Sequence, residues 1–307
     1  MRNQERITDV LDDRFSVSVE VFPPRNGTAP QVIFGKLRAL KRLKPDFVSV
    51  TKGACGSMRG GTVPIGYMIA ERYGLTPLVH FRSRDLTKRE TENLLVDHMY
   101  FEIVNILAVM GDPLPGDPAK PPESPECNRY ACDLVRQISE MNRGHYLPIP
   151  GDTVDYREGV PSNFCIGVAC YPERRWTEER MVMRAKVRSG AVFGITQMFF
   201  QASLYKRYID RLRSAGIEIP VIPGIRPVSC AEHVRAAEEV FGATVPAELK
   251  KALRGIDRGK GREICTDFTV RLCEELADLG APGVHLFILN DVEMAREIIT
   301  LVRKAMV

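Results

Sequence analysis

Ser16-Val17-Ser18-Val19-Glu20-Val21-Phe22-Pro23-Pro24-Arg25 is the stretch on which the fold turns. Val17, Val19 and Val21 project to one side of an extended chain; Ser18, Glu20 and Phe22 project to the other. The valines are β-branched and two prolines end the run, so it reads as a strand. Glu20 lies close to the strand's carboxyl end. A glutamate there is costly unless it is solvated, paired or kept protonated. In a barrel of parallel strands, that end is where active sites are built.

Seven further apolar runs of strand length follow, at 47–51, 78–81, 103–109, 164–170, 193–200, 221–225 and 284–289. Between them the apolar period is helical. The stretch 85–100 carries Leu86, Leu94, Leu95 and Met99; 203–215 carries Leu204, Tyr208 and Leu212. The stretch 262–279 carries Ile264, Phe268, Leu272, Leu276 and Leu279, and is stopped by Gly280 and Pro282. Asn290-Asp291-Val292-Glu293 is a capping-box pattern that opens the last helix. Strands that alternate with helices imply a parallel sheet with helical crossovers. The expectation is an α/β fold, a single-domain (βα)8 TIM barrel over residues 1–307. A doubly wound open sheet is the alternative, but no Gly-x-Gly-x-x-Gly follows the first strand.

The chain has 307 residues, 44% of them apolar, enough for a full core. The formal charge of +4 is small and no basic run appears, which argues against nucleic acid. No long uncharged apolar segment is present to span a membrane, and no apolar stretch follows the N-terminal residues as in a secretory signal. The eight cysteines show no Cys-x-x-Cys spacing. We expect a cytoplasmic protein without structural disulfides or zinc, and no histidine pair has metal-ligand spacing. Two stretches break the rhythm. The proline-rich 111–128 leaves a strand's carboxyl end and is expected to serve the active site; 144–163 enters the following strand from the opposite face and reads as decoration.

Seven motifs occur in one order: Ser18–Arg25 of the opening stretch, Phe47-Val48-Ser49-Val50-Thr51, Met110-Gly111-Asp112-Pro113-Leu114-Pro115-Gly116, Ala169-Cys170-Tyr171-Pro172-Glu173, Gly194-Ile195-Thr196-Gln197-Met198-Phe199-Phe200, Ile222-Pro223-Gly224-Ile225-Arg226-Pro227-Val228-Ser229 and Phe287-Ile288-Leu289-Asn290. Together they resemble the methylenetetrahydrofolate reductase family across nearly the whole chain. The resemblance implies a barrel that reduces 5,10-methylenetetrahydrofolate to 5-methyltetrahydrofolate, with NADH or NADPH as hydride donor and usually FAD between. It assigns Glu20 as the general acid that assists opening of the substrate's five-membered ring. A carboxyl among Val19, Val21 and Phe22 could have the raised pKa this needs. Asp112 matches the residue that meets the pterin, whose N–H edge suits a carboxylate; an aspartate before proline is also a common turn former. Gln197 matches a substrate-contacting glutamine, and its amide can both donate and accept. Thr51 matches a position near the nicotinamide.

The flavin positions are mixed. His80, Ala54, Gly111, Tyr130, Ala131, Tyr171 and Lys186 match the family. Met110 stands where a phosphate-binding arginine is usual, and Lys52 where an aromatic is usual. After Glu173 the chain is shorter, and the aspartate and asparagine of the next helix become Glu179 and Val182. On the substrate side an aromatic becomes Ala237, a glutamine becomes His233 and an arginine becomes Asp291. Arg82, Arg84 and Arg226 are the nearby cations for a glutamate tail. Trp176 is expected to pack, and Arg174-Arg175 to be a solvated loop. Each lost phosphate contact removes a charge-assisted bond of about 1.5–3 kcal/mol. FAD is therefore doubtful, and direct hydride transfer from the nicotinamide is the expectation. An ordinary flavoenzyme of the family and a non-catalytic folate-binding barrel are the alternatives.

Overall fold

A computed structural model describes residues 4–53, 57, 59–113, 124–289 and 291–305. A short helix α1 (Ile7–Asp13) precedes β1 (Ser16–Val21). Strand and helix then alternate: α2 (Gln31–Leu43), β2 (Val48–Val50), α3 (Thr62–Glu71), β3 (Pro77–Arg82), α4 (Lys88–Tyr100), β4 (Asn105–Val109) and α5 (Ala131–Asn142). A small hairpin, β5 (His145–Tyr146) and β6 (Arg157–Glu158), leads to β7 (Cys165–Cys170), α6 (Trp176–Arg188), β8 (Phe193–Thr196) and α7 (Ala202–Ser214). The chain closes with β9 (Val221–Ile222), β10 (Gly224–Ile225), α8 (Ala231–Phe241), α9 (Ala247–Ala252), α10 (Arg258–Asp278), β11 (Gly283–Leu286) and α11 (Val292–Ala305).

The main sheet runs β10-β11-β1-β2-β3-β4-β7-β8-β9, and all its pairings are parallel. Its two edges, β9 and β10, are halves of one segment interrupted at Pro223, so the sheet is a TIM barrel. Proline has no N–H for the ladder, and the seam is bridged around it. His285 N donates to Pro223 O at 2.9 Å, and Gly224 N donates to Thr196 Oγ1 at 2.8 Å. A Cβ on Gly224 would strike the Thr196 carbonyl and the Phe287 ring, so only glycine lets the backbones approach this closely.

The alternation in β1 is realised. Val17, Val19 and Val21 are buried outside the barrel against Ile33 and Leu37 of α2 and Ile298 of α11. Each such side chain contributes roughly 1.5–3 kcal/mol by leaving water. Inside, Phe47, Leu78, Leu107, Phe193 and Ile222 fill the lower barrel with Ile7 and Leu11 of α1. Asn105 holds that plug, its Oδ1 accepting from Ile7 N at 2.9 Å.

Two expectations are corrected, and one stretch read as decoration carries structure of its own. The run 193–200 is a strand only to Thr196, because Gln197 Oε1 turns back to accept from Met198 N at 2.9 Å. The last helix is capped by Asp291, which accepts from Met294 N at 3.0 Å; Asn290 lies outside the described residues. The stretch 144–163 is partly an antiparallel hairpin, fastened to buried Glu92 by Leu147 N at 2.6 Å and Arg157 Nη2 at 3.1 Å. Residues 114–123 of the proline-rich loop lie outside the described set. Among the described residues no helix is long and apolar enough to cross a membrane.

Candidate active site

A cavity of about 950 Å³ opens at the carboxyl ends of the strands. That volume suits a ligand of folate or dinucleotide size. Of the residues singled out from sequence, Glu20, Thr51, His80, Gly111, Asp112, Tyr130, Ala131, Tyr171, Lys186 and Gln197 all line it. Ala54 lies outside the described residues.

Glu20 is buried and its surroundings differ from the expected ones. The valines beside it face away; its carboxylate instead meets two imidazoles. Oε2 lies 3.4 Å from His80 Nε2 and 3.9 Å from His285 Nε2. Strand register explains the grouping, since Glu20 pairs with Ser49 on β2 and Ser18 with His285 on β11. Ser49 Oγ is 2.7 Å from His80 Nε2, and Ser18 Oγ is 2.8 Å from His285 Nδ1. Ser18 also donates to Val284 O at 3.2 Å. With its one proton spent there, Ser18 accepts from His285 Nδ1–H. Nε2 of His285 faces Glu20 and has no hydrogen-bond partner. The Thr51 hydroxyl, also in the wall, is likewise buried and unpartnered.

Burial pushes the His80 imidazole down to about 4, against a smaller opposing pull from Glu20. Burial does the same to His98, packed against Phe81 with Nδ1 donating to Leu94 O. Both rings are neutral near pH 7. The unfolded chain takes up these protons near pH 6.5, the folded chain only near 4. Stability is therefore complete above about pH 6.5 and falls as the pH drops toward 4, by up to about 3 kcal/mol per ring. Urea unfolding at successive pH values checks this; His98→Asn should flatten the slope, and an unchanged slope would refute the assignment.

The opposite wall is built on α6. Lys186 is buried, donates to Ala169 O at 2.6 Å, and its ammonium is pushed down by burial. Tyr171 has Arg174 4.1 Å above its ring. Glu179, wholly buried, accepts from Tyr171 N and Tyr208 Oη, each at 2.8 Å, and from Arg174 Nη1 at 3.2 Å. Gly111 has φ +96°, and a Cβ there would run into the Arg82 stem, so the loop after β4 requires glycine. Arg82 pairs with Asp85, and neither Arg82 nor Arg84 lines the cavity. Of the three expected cations only Arg226 does, joined by Arg25, Arg59 and Arg174.

Sequence reasoning missed two contributors. His285 was a weak signal because only barrel closure brings it to Glu20. Phe241 lines the cavity one helical turn beyond Ala237, which is buried in the core, with Arg226 5.8 Å from its ring. An aromatic four residues downstream on the same helix face was the available clue. His233, by contrast, bonds Ser229 and lies outside the cavity wall. Trp176 packs edge-on against Tyr208, as expected. No group of three or more metal-binding side chains occurs among the described residues.

Comparison with known proteins agrees with this geometry. The chain matches the family model described as methylenetetrahydrofolate reductase over residues 5–303. It is 31% identical over 296 residues to the 5,10-methylenetetrahydrofolate reductases of Salmonella typhimurium and Escherichia coli, covering 93% of this chain and 90% of each relative. A solved structure titled as an uncharacterized protein from Clostridium thermocellum that binds two copies of 5-methyl-5,6,7,8-tetrahydrofolic acid superposes with a TM-score of 0.62. It covers 98% of this chain and 99% of its own at 14% identity, a likeness of fold. A barrel whose mouth gathers Glu20, Asp112 and Gln197, matched over nearly its whole length, belongs to the methylenetetrahydrofolate reductase family of oxidoreductases.

Proposed function

We propose that this chain reduces 5,10-methylenetetrahydrofolate with hydride taken directly from NADH or NADPH, without tightly bound flavin, and that Glu20 is the general acid. Asp112 and Gln197 orient the pterin at the cavity mouth. Glu20 gives its proton to the departing ring nitrogen, the carbon–nitrogen bond opens, and the methylene becomes an electrophilic iminium carbon. Hydride then adds to that carbon and completes the methyl group. His285 stands beside this carboxyl, its Nε2 3.9 Å away and without a hydrogen-bond partner. The observation that carries the acid assignment is the position of Glu20: buried at the strand ends, in the cavity wall, with imidazoles on two sides.

The flavin part of the reading rests on a poor fit to the adenylate and phosphates. Met110 lines the wall beside Gly111 where a cation is expected. Glu179 is withdrawn into the network beneath Tyr171, and Val182 presents an aliphatic surface to the cavity. Lys52, in place of an aromatic, carries its ammonium 5.0 Å above the Phe81 ring. The test is the visible spectrum of the purified protein together with anaerobic turnover. Colourless protein that oxidises NAD(P)H in the presence of methylenetetrahydrofolate, without added FAD, is the expected result. Turnover that requires stoichiometric flavin would return the chain to the ordinary flavoenzyme reading.

A further inference from the structure

A second concave site lies on the outer wall of the barrel, in the groove between α6 and α7. Its volume is about 470 Å³ and it shares no lining residue with the folate cavity. Arg180 and Arg184 stand on α6; Lys206, Arg207 and Arg211 stand on α7. One carboxylate, Asp210, accompanies these five cations, and it is taken by Lys206 at 2.9 Å. Among the described residues no carboxylate lies within 4 Å of the four guanidiniums. The groove thus holds as much net positive charge as the formal +4 of the whole chain, which is balanced elsewhere.

This arrangement costs stability when empty. Arg180 and Arg184, like Arg207 and Arg211, are like charges one turn apart on a helix, a spacing that repels. The groove is also more than a stretch of charged surface. Arg184 Nη2 donates to Ala215 O at 3.1 Å, tying α6 to the end of α7, and Trp176 forms part of the wall with Arg211 5.8 Å from its ring.

We propose that this groove binds a chain of two or more phosphates, inorganic or carried by a nucleotide. Guanidinium forks match phosphate oxygens in pairs, and four of the five cations are arginines. The open groove has room for a small ligand. Trp176 is the only tryptophan in the chain, so its emission reports on this groove directly.

The experiment titrates the full chain with inorganic tripolyphosphate at fixed ionic strength, because exposed charges are screened beyond about 10 Å. Trp176 emission and titration calorimetry are recorded together. Saturable binding is expected, weakened about a hundredfold by the pair Arg180→Glu and Arg207→Glu, at about tenfold for each lost ion contact. Reductase turnover of that variant should stay unchanged. A parallel titration with ATP separates the sources: tighter binding of ATP assigns a nucleotide, equal binding assigns the phosphates alone. Silence in both signals, equal binding by the variant, or an equal response to orthophosphate at matched ionic strength would each overturn the proposal.

Discussion

Glu20→Gln is expected to lower turnover by about 10²–10⁴-fold, the range for loss of a positioned general acid. Glutamine keeps the volume of the side chain and can still meet His80 and His285, so the barrel should unfold at the same urea concentration as the parent. What it lacks is a proton to give. The loss should fall on kcat while KM for the folate changes little, because the group acts on the bond being broken rather than on binding. Oxidation of 5-methyltetrahydrofolate should fall by the same factor, since the reverse reaction passes through the same transition state. Steady-state assays in both directions check this, and unaltered kcat would remove Glu20 from the chemistry.

The largest expected effect on stability belongs to Glu179→Ala. This carboxylate is wholly buried and serves three donors: Tyr171 N, Tyr208 Oη and Arg174. Removing it leaves those donors without their acceptor, and breaking one side of such a buried charged network costs about 3–5 kcal/mol. Glu179→Gln retains an oxygen and should cost less than half as much. Urea denaturation of the two variants separates them; an alanine variant as stable as the parent would show that the network contributes nothing. The effect should reach the site as well, because Glu179 holds the Tyr171 backbone at the cavity wall. We expect a raised KM in the alanine variant even where it remains folded.

Much of the barrel is legible in local pattern. The alternation from Ser16 to Phe22 separates a face that packs on helices from a face that lines the interior, and register within a strand follows from that alone. Helical periods in 203–215 and 262–279 appear as α7 and α10 within a few residues of the expected ends. The errors occur where a side chain competes with the backbone for hydrogen bonds, as at Gln197, or where a cap shifts by one residue, as at Asp291.

The site is legible only in part. Residues inside motifs reach the cavity, from Glu20 to Gln197. Of the cations expected near a glutamate tail, Arg82 turns instead to Asp85, while Arg25 and Arg59, not among the expected three, line the wall. Ala237 and Phe241 share a helix face, yet Ala237 is buried in the core and Phe241 lines the cavity, because depth along that face is settled by what packs against each turn.

Strand, helix and the side on which each residue stands were determined by the sequence by itself, because alternation and helical period act between neighbours. The company Glu20 keeps was decided by closure. His285 is far along the chain, yet β11 lies against β1 and places its free nitrogen 3.9 Å from the carboxylate. The same holds for the arginines of α6 and α7, unremarkable on either helix and concentrated only where the two walls meet. Distances across a folded chain depend on packing of the whole, which no local pattern encodes.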